Sequence, residues 1–149
     1  MAKSRIFTIG YEGAHPDRFL ETLKDAGIAT LADVRAVALS RKRGFSKSAL
    51  REALAGQGIG YEHFIRLGTP KEGRQAARAG DAALMTRVYC DEVLKTPQAQ
   101  EAFEELAEMA QQQPICLLCF ERDPALCHRR ILANRLADRG MEVVDLTVF

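Results

Sequence analysis

The sequence predicts an α/β fold: a single three-layer Rossmann-like domain with a mostly parallel sheet flanked by helices. Three observations carry this expectation. Short β-rich runs alternate with longer stretches of helical periodicity, the pattern of strands joined by crossover helices. One run, Ile115-Cys116-Leu117-Leu118-Cys119-Phe120, is almost wholly apolar, as a strand covered on both faces must be. The chain has 149 residues, 47% hydrophobic and 28% charged, which suits one ordinary domain with a real core and argues against long disorder.

Each element can be justified in order. Ile6 to Tyr11 is a compact strand followed by Gly13, and His15-Pro16-Asp17 opens a helix whose Phe19, Leu20 and Leu23 share one face. Gly27 closes that helix. Ile28 to Val34 reads as the second strand, with Asp33-Val34-Arg35 at its C-terminal end and the basic loop Ser40-Arg41-Lys42-Arg43-Gly44-Phe45 beyond it. Ser46 is the expected N-cap of a helix over Lys47 to Gln57, with Ala49, Leu50, Ala53 and Leu54 as its buried stripe. Ile59 to Leu67 suggests a third strand, and Gly68 to Arg74 reads as a loop from its turn residues and charge. Helices are expected over Ala82 to Leu94 and Gln98 to Gln111, the latter turning Phe103, Leu106 and Ala110 inward. The apolar run at 115–120 is the central strand. Asp123-Pro124 then supplies an N-cap and first-turn proline for a helix carrying Cys127, His128, Arg129, Ile131, Leu132 and Leu136, and Glu142 to Val148 forms the last strand.

Composition bounds the function. A formal charge of +1 and a pI near 7.7 give no overall attraction to nucleic acid or an anionic membrane, so anion recognition must come from local clustering. No stretch approaches the roughly 20 apolar residues that span a bilayer, and Met-Ala-Lys-Ser-Arg runs directly into a strand without the apolar core of a secretory signal. A cytoplasmic location is expected. Cys90, Cys116, Cys119 and Cys127 lack the spacing of a secreted disulfide scaffold, so reduced thiols are expected. Cys116-x-x-Cys119 has redox-like spacing, but within a strand its sulfurs face opposite sides of the sheet.

In an open α/β sheet, ligands bind outside the carboxyl ends of the strands. Three segments meet there in this reading: Tyr11-Glu12-Gly13, Asp33-Val34-Arg35 with its basic loop, and Cys119 to Arg129. The last is the strongest local signal. Cys119-x-Glu121 stands at a strand end, and Cys127-His128-Arg129 falls in a first helical turn, where the helix dipole and neighbouring cations favour thiolate. Cys127 is the candidate nucleophile or redox group, with Cys119, Glu121 and His128 as catalytic partners. The plainer alternative makes both cysteines small buried hydrophobes. A metal site on Cys119, Cys127 and His128 with Glu121 is disfavoured by spacing, since seven residues separate the cysteines and adjacent helical side chains diverge.

Arg35, Arg41, Lys42, Arg43 and Lys47 form the main basic cluster, joined by Arg129, and can hold phosphate or carboxylate or simply face solvent. Tyr11, Glu12 and Asp33 complete the candidate ligand-binding set. Glu12 and Asp33 can each act as a general base, though pairing with Arg35 or Arg129 suits them better. His63, beside Tyr61 and Phe64, reads as a hydrogen-bonded structural histidine, and His15 as a helix-start residue.

The assembled segments resemble the bacterial and archaeal family known as domain of unknown function 488. They are Thr8-Ile9-Gly10-Tyr11-Glu12-Gly13, Asp33-Val34-Arg35, Ser40-Arg41, Gly44-Phe45-Ser46-Lys47, Gly58-Ile59-Gly60-Tyr61, Leu67-Gly68, and Cys119-x-Glu121 through Cys127-His128-Arg129. They run in order across nearly the whole chain. One departure is Ala38, where members of the family usually carry a proline ahead of the Ser-Arg pair. The resemblance implies the α/β fold and marks the same three segments; it implies no activity and fixes no cofactor.

Three functions follow from the chemistry. The first is an enzyme acting on a phosphate-bearing, nucleotide-like ligand, with Arg35, Arg41, Lys47 and Arg129 holding the anion and Cys127 as thiolate. The second is a non-catalytic module for a nucleotide or nucleic acid, weakened by the lack of aromatics in the basic loop other than Phe45. The third is a metal or redox protein built on Cys119, Cys127 and His128.

Overall fold

A strand with five fully buried positions needs cover on both faces, and β4 (Ile115–Cys119) has it. It lies in the middle of a five-stranded sheet in the computed structural model, which describes residues 4–149. The other strands are β1 (Arg5–Gly10), β2 (Thr30–Asp33), β3 (Gly60–His63) and β5 (Glu142–Leu146), in the order β3-β2-β4-β1-β5, and every pairing is parallel. The expected α/β class is therefore the observed one. Register matters most for the site: Gly10 aligns with Cys119 and Asp33 with Leu118, so three strands end level with one another.

Alternate side chains of each strand feed two cores. On one face α1 (Pro16–Asp25) and α2 (Lys47–Ala55) bring Phe19, Leu23, Leu50 and Leu54 against Phe7, Ile9, Leu31, Cys116 and Leu118. Opposite them, α5 (Pro97–Gln112) and α6 (His128–Ala137) bring Phe103, Leu106, Leu132 and Leu136 against Ile6, Ala32, Ile115 and Leu117. Burying each such aliphatic side chain contributes about 1.5–3 kcal/mol, so these two clusters hold the layers together. A smaller cluster joins α3 (Lys71–Arg78) and α4 (Ala82–Val88) to α6 through Ala76, Ala77, Met85 and Ile131. Among the described residues no helix is long and apolar enough to cross a membrane.

Several local expectations are corrected. Gly68 to Arg74 is not all loop: Pro70 stands at the N-cap of α3, and Gln75, Ala76 and Ala77 continue the turn begun at Lys71. The third strand stops at His63, and Ile65–Leu67 forms a short 3₁₀ turn. The helix expected over Ala82 to Leu94 is present, with α4 running directly into a π-helical turn over Tyr89–Val93. Ala49 points to solvent, leaving Leu50 and Leu54 as the buried stripe of α2. Ser46 stands at the N-cap of α2 without making a cap bond, because its hydroxyl is engaged with the backbone of Ser40. Asp123 caps only a 3₁₀ turn at Pro124–Leu126, and α6 starts afterwards with Cys127 as its N-cap.

Candidate functional site

Asp33 ends β2 fully buried, and a buried carboxylate must be paired and hydrogen-bonded to remain charged. Its Oδ1 accepts from Arg35 Nε at 2.9 Å and from the Arg35 backbone N–H at 3.0 Å; its Oδ2 accepts from Arg35 Nη2 at 2.7 Å and from the Tyr61 hydroxyl at 2.5 Å. Arg35 Nη1 donates to Phe45 O at 2.7 Å and to Tyr11 Oη at 3.3 Å. Burial alone lowers the Arg35 pKa, but the bonds and charge of Asp33 raise it above its ordinary value. Desolvation and Asp33 together raise that of Tyr61. His63 Nε2 lies 2.8 Å from Arg35 O, a pure acceptor, so this histidine is structural as expected. The network is a brace. It pins the end of the basic loop through Phe45, whose ring stacks on Tyr11 at 4.7 Å.

The second constellation departs from expectation. Cys119, at the end of β4, and Cys127 are joined as a disulfide, so the expectation of reduced thiols is corrected for this pair; Cys90 and Cys116 are free. Their approach is possible because Cys127 is not in a helical turn. As an N-cap with extended backbone (φ −125°, ψ 143°) it directs Sγ back over the helix start, where the Arg129 N–H lies at 3.5 Å. The same geometry puts Cys127 Sγ 3.8 Å from His128 Nδ1, so these adjacent side chains do not diverge. His128 Nε2 lies 2.6 Å from Val34 O, which can only accept. Nε2 therefore carries the proton, and Nδ1 turns its lone pair toward Cys127. Desolvation lowers the His128 pKa to about 4, with help from the Arg129 charge.

Arg129 has no solvent exposure, and its partners are neutral or sulfur: Nη1 donates to Cys119 Sγ at 2.9 Å and to Glu121 O at 2.5 Å, and Nη2 to Arg122 O at 3.3 Å. Its Nε has no partner, and no carboxylate pairs with it among the described residues. Burial lowers its pKa, yet a guanidinium stays charged in a protein. The cation under the two sulfurs thus has no carboxylate in direct contact, and the charges of Asp145 and Glu121 act on it only from a distance. Glu121, half-buried beside them, has its carboxyl pKa raised by desolvation.

These groups form the floor of a cavity of about 770 Å³. Tyr11, Arg35, Cys119, Glu121, Cys127 and His128 line it, as do exposed Arg41 and half-buried Lys42 of the basic loop and, from α3, half-buried Arg74, whose Nη1 donates to Thr69 O at 2.9 Å, and exposed Arg78. None of those last four pairs with a carboxylate among the described residues, and Glu121 is the only acidic residue in the wall. Val37, Leu39 and Phe120, three of the five exposed large hydrophobic residues described, also border it. The cavity wall is therefore both cationic and apolar.

The predicted site residues divide accordingly. Tyr11, Arg35, Arg41, Cys119, Glu121, Cys127 and His128 come together at the cavity. Asp33 pairs with Arg35, the role expected to suit it better than general base, and Arg35 itself has one side-chain N–H left of five. Glu12 accepts from the Arg122 N–H at 3.0 Å and holds the loop after β4. Lys47 does not line the cavity, and Arg129 lies beneath it. Sequence reasoning missed Thr69, Arg74, Ala77, Arg78 and Met85. The four-residue spacing of Arg74 and Arg78 places both on one face of a helix, a signal hidden when that segment is read as a loop.

Two sulfurs and a Glu121 oxygen lie within 4.8 Å of one another, a set that has the right donors for a soft metal ion. The sulfurs are engaged with each other, however, and the Arg129 guanidinium on Cys119 is the wrong charge beside a dication.

Fold and site together define an all-parallel α/β protein with a basic-rimmed, sulfur-floored cavity at the carboxyl ends of its strands. The chain belongs to the family described as Domain of unknown function DUF488, which matches residues 15–136. No curated protein and no solved structure matches it.

Proposed function

We propose that this protein is an enzyme acting on a phosphate-bearing, nucleotide-like ligand, with Cys127 as the nucleophile once its bond to Cys119 is reduced. The observation that carries this reading is the concentration of unpaired positive charge around one cavity. Arg41, Lys42, Arg74 and Arg78 line it and Arg129 lies under the floor, in a chain whose net charge is only +1. Charge-assisted bonds from such groups suit phosphate oxygens, and Val37, Leu39 and Phe120 offer contact to a base or other flat group.

In the reduced state, the α6 N-terminus and Arg129 favour thiolate at the two sulfurs. Cys127 Sγ then forms a bond to the electrophilic atom of the substrate. The leaving group departs with its electron pair and takes a proton from Glu121, whose desolvated carboxyl retains that proton to higher pH than an exposed one. Water or a second acceptor displaces Cys127 and returns a proton to Glu121.

The test is calorimetric titration of ADP into the reduced protein at two ionic strengths. Binding that weakens with salt, and about tenfold or more in Arg41→Gln/Arg78→Gln, supports the reading; a charge-assisted bond contributes about 1.5–3 kcal/mol. Absence of binding to ADP and to other phosphate-bearing nucleotides, or binding indifferent to both changes, overturns it. Near-stoichiometric zinc or iron in protein purified without chelator favours the metal reading instead.

A further inference from the structure

We infer that the Cys119–Cys127 bond is opened by a small thiol carrying phosphate or carboxylate groups, which docks on the same basic rim. This rests on the reading that the rim holds anions, and it adds a second substrate class to the site: the reductant that generates the nucleophile.

The argument begins with Arg129. A fully buried guanidinium with no carboxylate in direct contact among the described residues, only Asp145 and Glu121 acting from a distance, is a costly arrangement, and its Nη1 lies 2.9 Å from Cys119 Sγ. A disulfide sulfur is a weak, neutral acceptor, whereas a thiolate at that position supplies the missing counter-charge. Breaking the bond therefore creates the anion that the fold is built to hold. Cys119 is the better leaving group, because a stabilised thiolate departs faster. Cys127 is the sulfur attacked; both cysteines line the cavity but are only 2% and 1% exposed, so an incoming thiol must enter the cavity to meet the bond.

The electron balance is closed by the thiol itself. One thiolate, RS⁻, attacks Cys127 Sγ; an R–S–Sγ bond forms, the Sγ–Sγ bond breaks, and Cys119 leaves as thiolate against Arg129. A second RS⁻ attacks the thiol sulfur of the mixed disulfide, giving RSSR and Cys127 thiolate. Two thiols supply two electrons, and each protein sulfur takes up a proton from solvent to the extent that its surroundings allow. The attacking species is an anion in its own right, so Arg41, Lys42, Arg74 and Arg78 accelerate it, and more so when R carries further negative charge.

The experiment follows reduction of the oxidised protein by 3-mercaptopropionate, coenzyme A, 2-mercaptoethanol and cysteamine, with rates read by trapping and intact mass and expressed per thiolate. At low salt the two anionic thiols are expected to outpace neutral 2-mercaptoethanol by about tenfold or more, with cationic cysteamine slowest. The gap is expected to shrink in about 0.5 M salt and in Arg41→Gln/Arg78→Gln. Coenzyme A leading 3-mercaptopropionate identifies phosphate as the preferred group, and the reverse order identifies carboxylate. When the thiol's own disulfide RSSR is supplied instead, Cys119→Ser is expected to exchange to a lasting Cys127–S–R adduct with release of RS⁻, and Cys127→Ser is expected to accumulate much less. Rates per thiolate that do not depend on thiol charge, or an adduct that forms preferentially on Cys119, overturn the inference. If ADP still binds the reduced protein in a salt-sensitive way while that discrimination is absent, the thiol assignment falls alone. If ADP binding also fails, the anion-binding reading falls with it.

Discussion

Arg129 Nη1 donates to Cys119 Sγ at 2.9 Å from a position with no exposure to solvent, and among the described residues no carboxylate forms a salt bridge with it. This pairing links the two ends of the site: the strand end that carries Cys119 and the helix start that carries Cys127. On the proposed reading, reduction leaves this guanidinium in contact with a thiolate.

Removing that charge is expected to move the reactivity of the thiols. In reduced Arg129→Met, the inflection in the alkylation rate against pH should rise by about one unit or more, toward the ordinary thiol value of about 8.5. Arg129→Lys should lie between Arg129→Met and the parent. Coincident profiles for all three proteins would remove Arg129 from the account.

The brace at the end of β2 predicts stability rather than activity. Asp33→Asn leaves Arg35 buried without its counter-charge and should cost about 3–5 kcal/mol. Tyr61→Phe deletes only one bond to the same carboxylate and should cost about 1–2 kcal/mol. Urea denaturation midpoints at unchanged slope measure both, and equal effects would contradict the assigned order.

Close backbone approach makes a separate prediction. A Cβ at Gly10 would lie 1.8 Å from Glu121 O, and one at Gly68 would lie 2.3 Å from Ala36 Cα. Both neighbours are main chain, so neither can swing aside. Gly10→Ala and Gly68→Ala should each destabilise by about 1–3 kcal/mol or more, and Gly10→Ala should also disturb the Cys119–Glu121 segment. Denaturation with unchanged midpoints would show that the chain yields there.

Acid sensitivity follows from His128. Its folded pKa of about 4 lies below the unfolded value of about 6.5, so the unfolded chain binds the extra proton first. The corresponding stability is fully present above about pH 6.5 and is lost as pH falls toward 4, to an extent of about 3 kcal/mol. Denaturation midpoints in that interval should fall more steeply in the parent than in His128→Gln. Parallel slopes would mean that the imidazole does not titrate this way.

Much of this architecture is legible in the sequence because it depends on local patterns. The apolar run at 115–120 demands cover on both faces, and parallel crossovers then put Gly10, Asp33 and Cys119 at one edge. Burial and long-range contact are not legible in the same way. Arg35 looks like an anion ligand until Asp33, Phe45 and Tyr11 are seen to take four of its five N–H groups. The Cys119–Cys127 bond depends on Cys127 standing just before its helix, a shift of one turn that the Asp123-Pro124 start signal conceals. Arg74 and Arg78 gain meaning only when α3 folds over the cavity.

The most direct measurement of the central claim is the alkylation rate of Cys127 in reduced protein at pH 7, read by peptide mass with and without ADP. The account predicts reaction about tenfold or more faster than a simple thiol, because the thiolate fraction is raised, and slowing by ADP that salt reverses. Reaction no faster than a simple thiol and untouched by ADP would contradict it, and the sulfurs would then be a structural staple beneath an unused cavity.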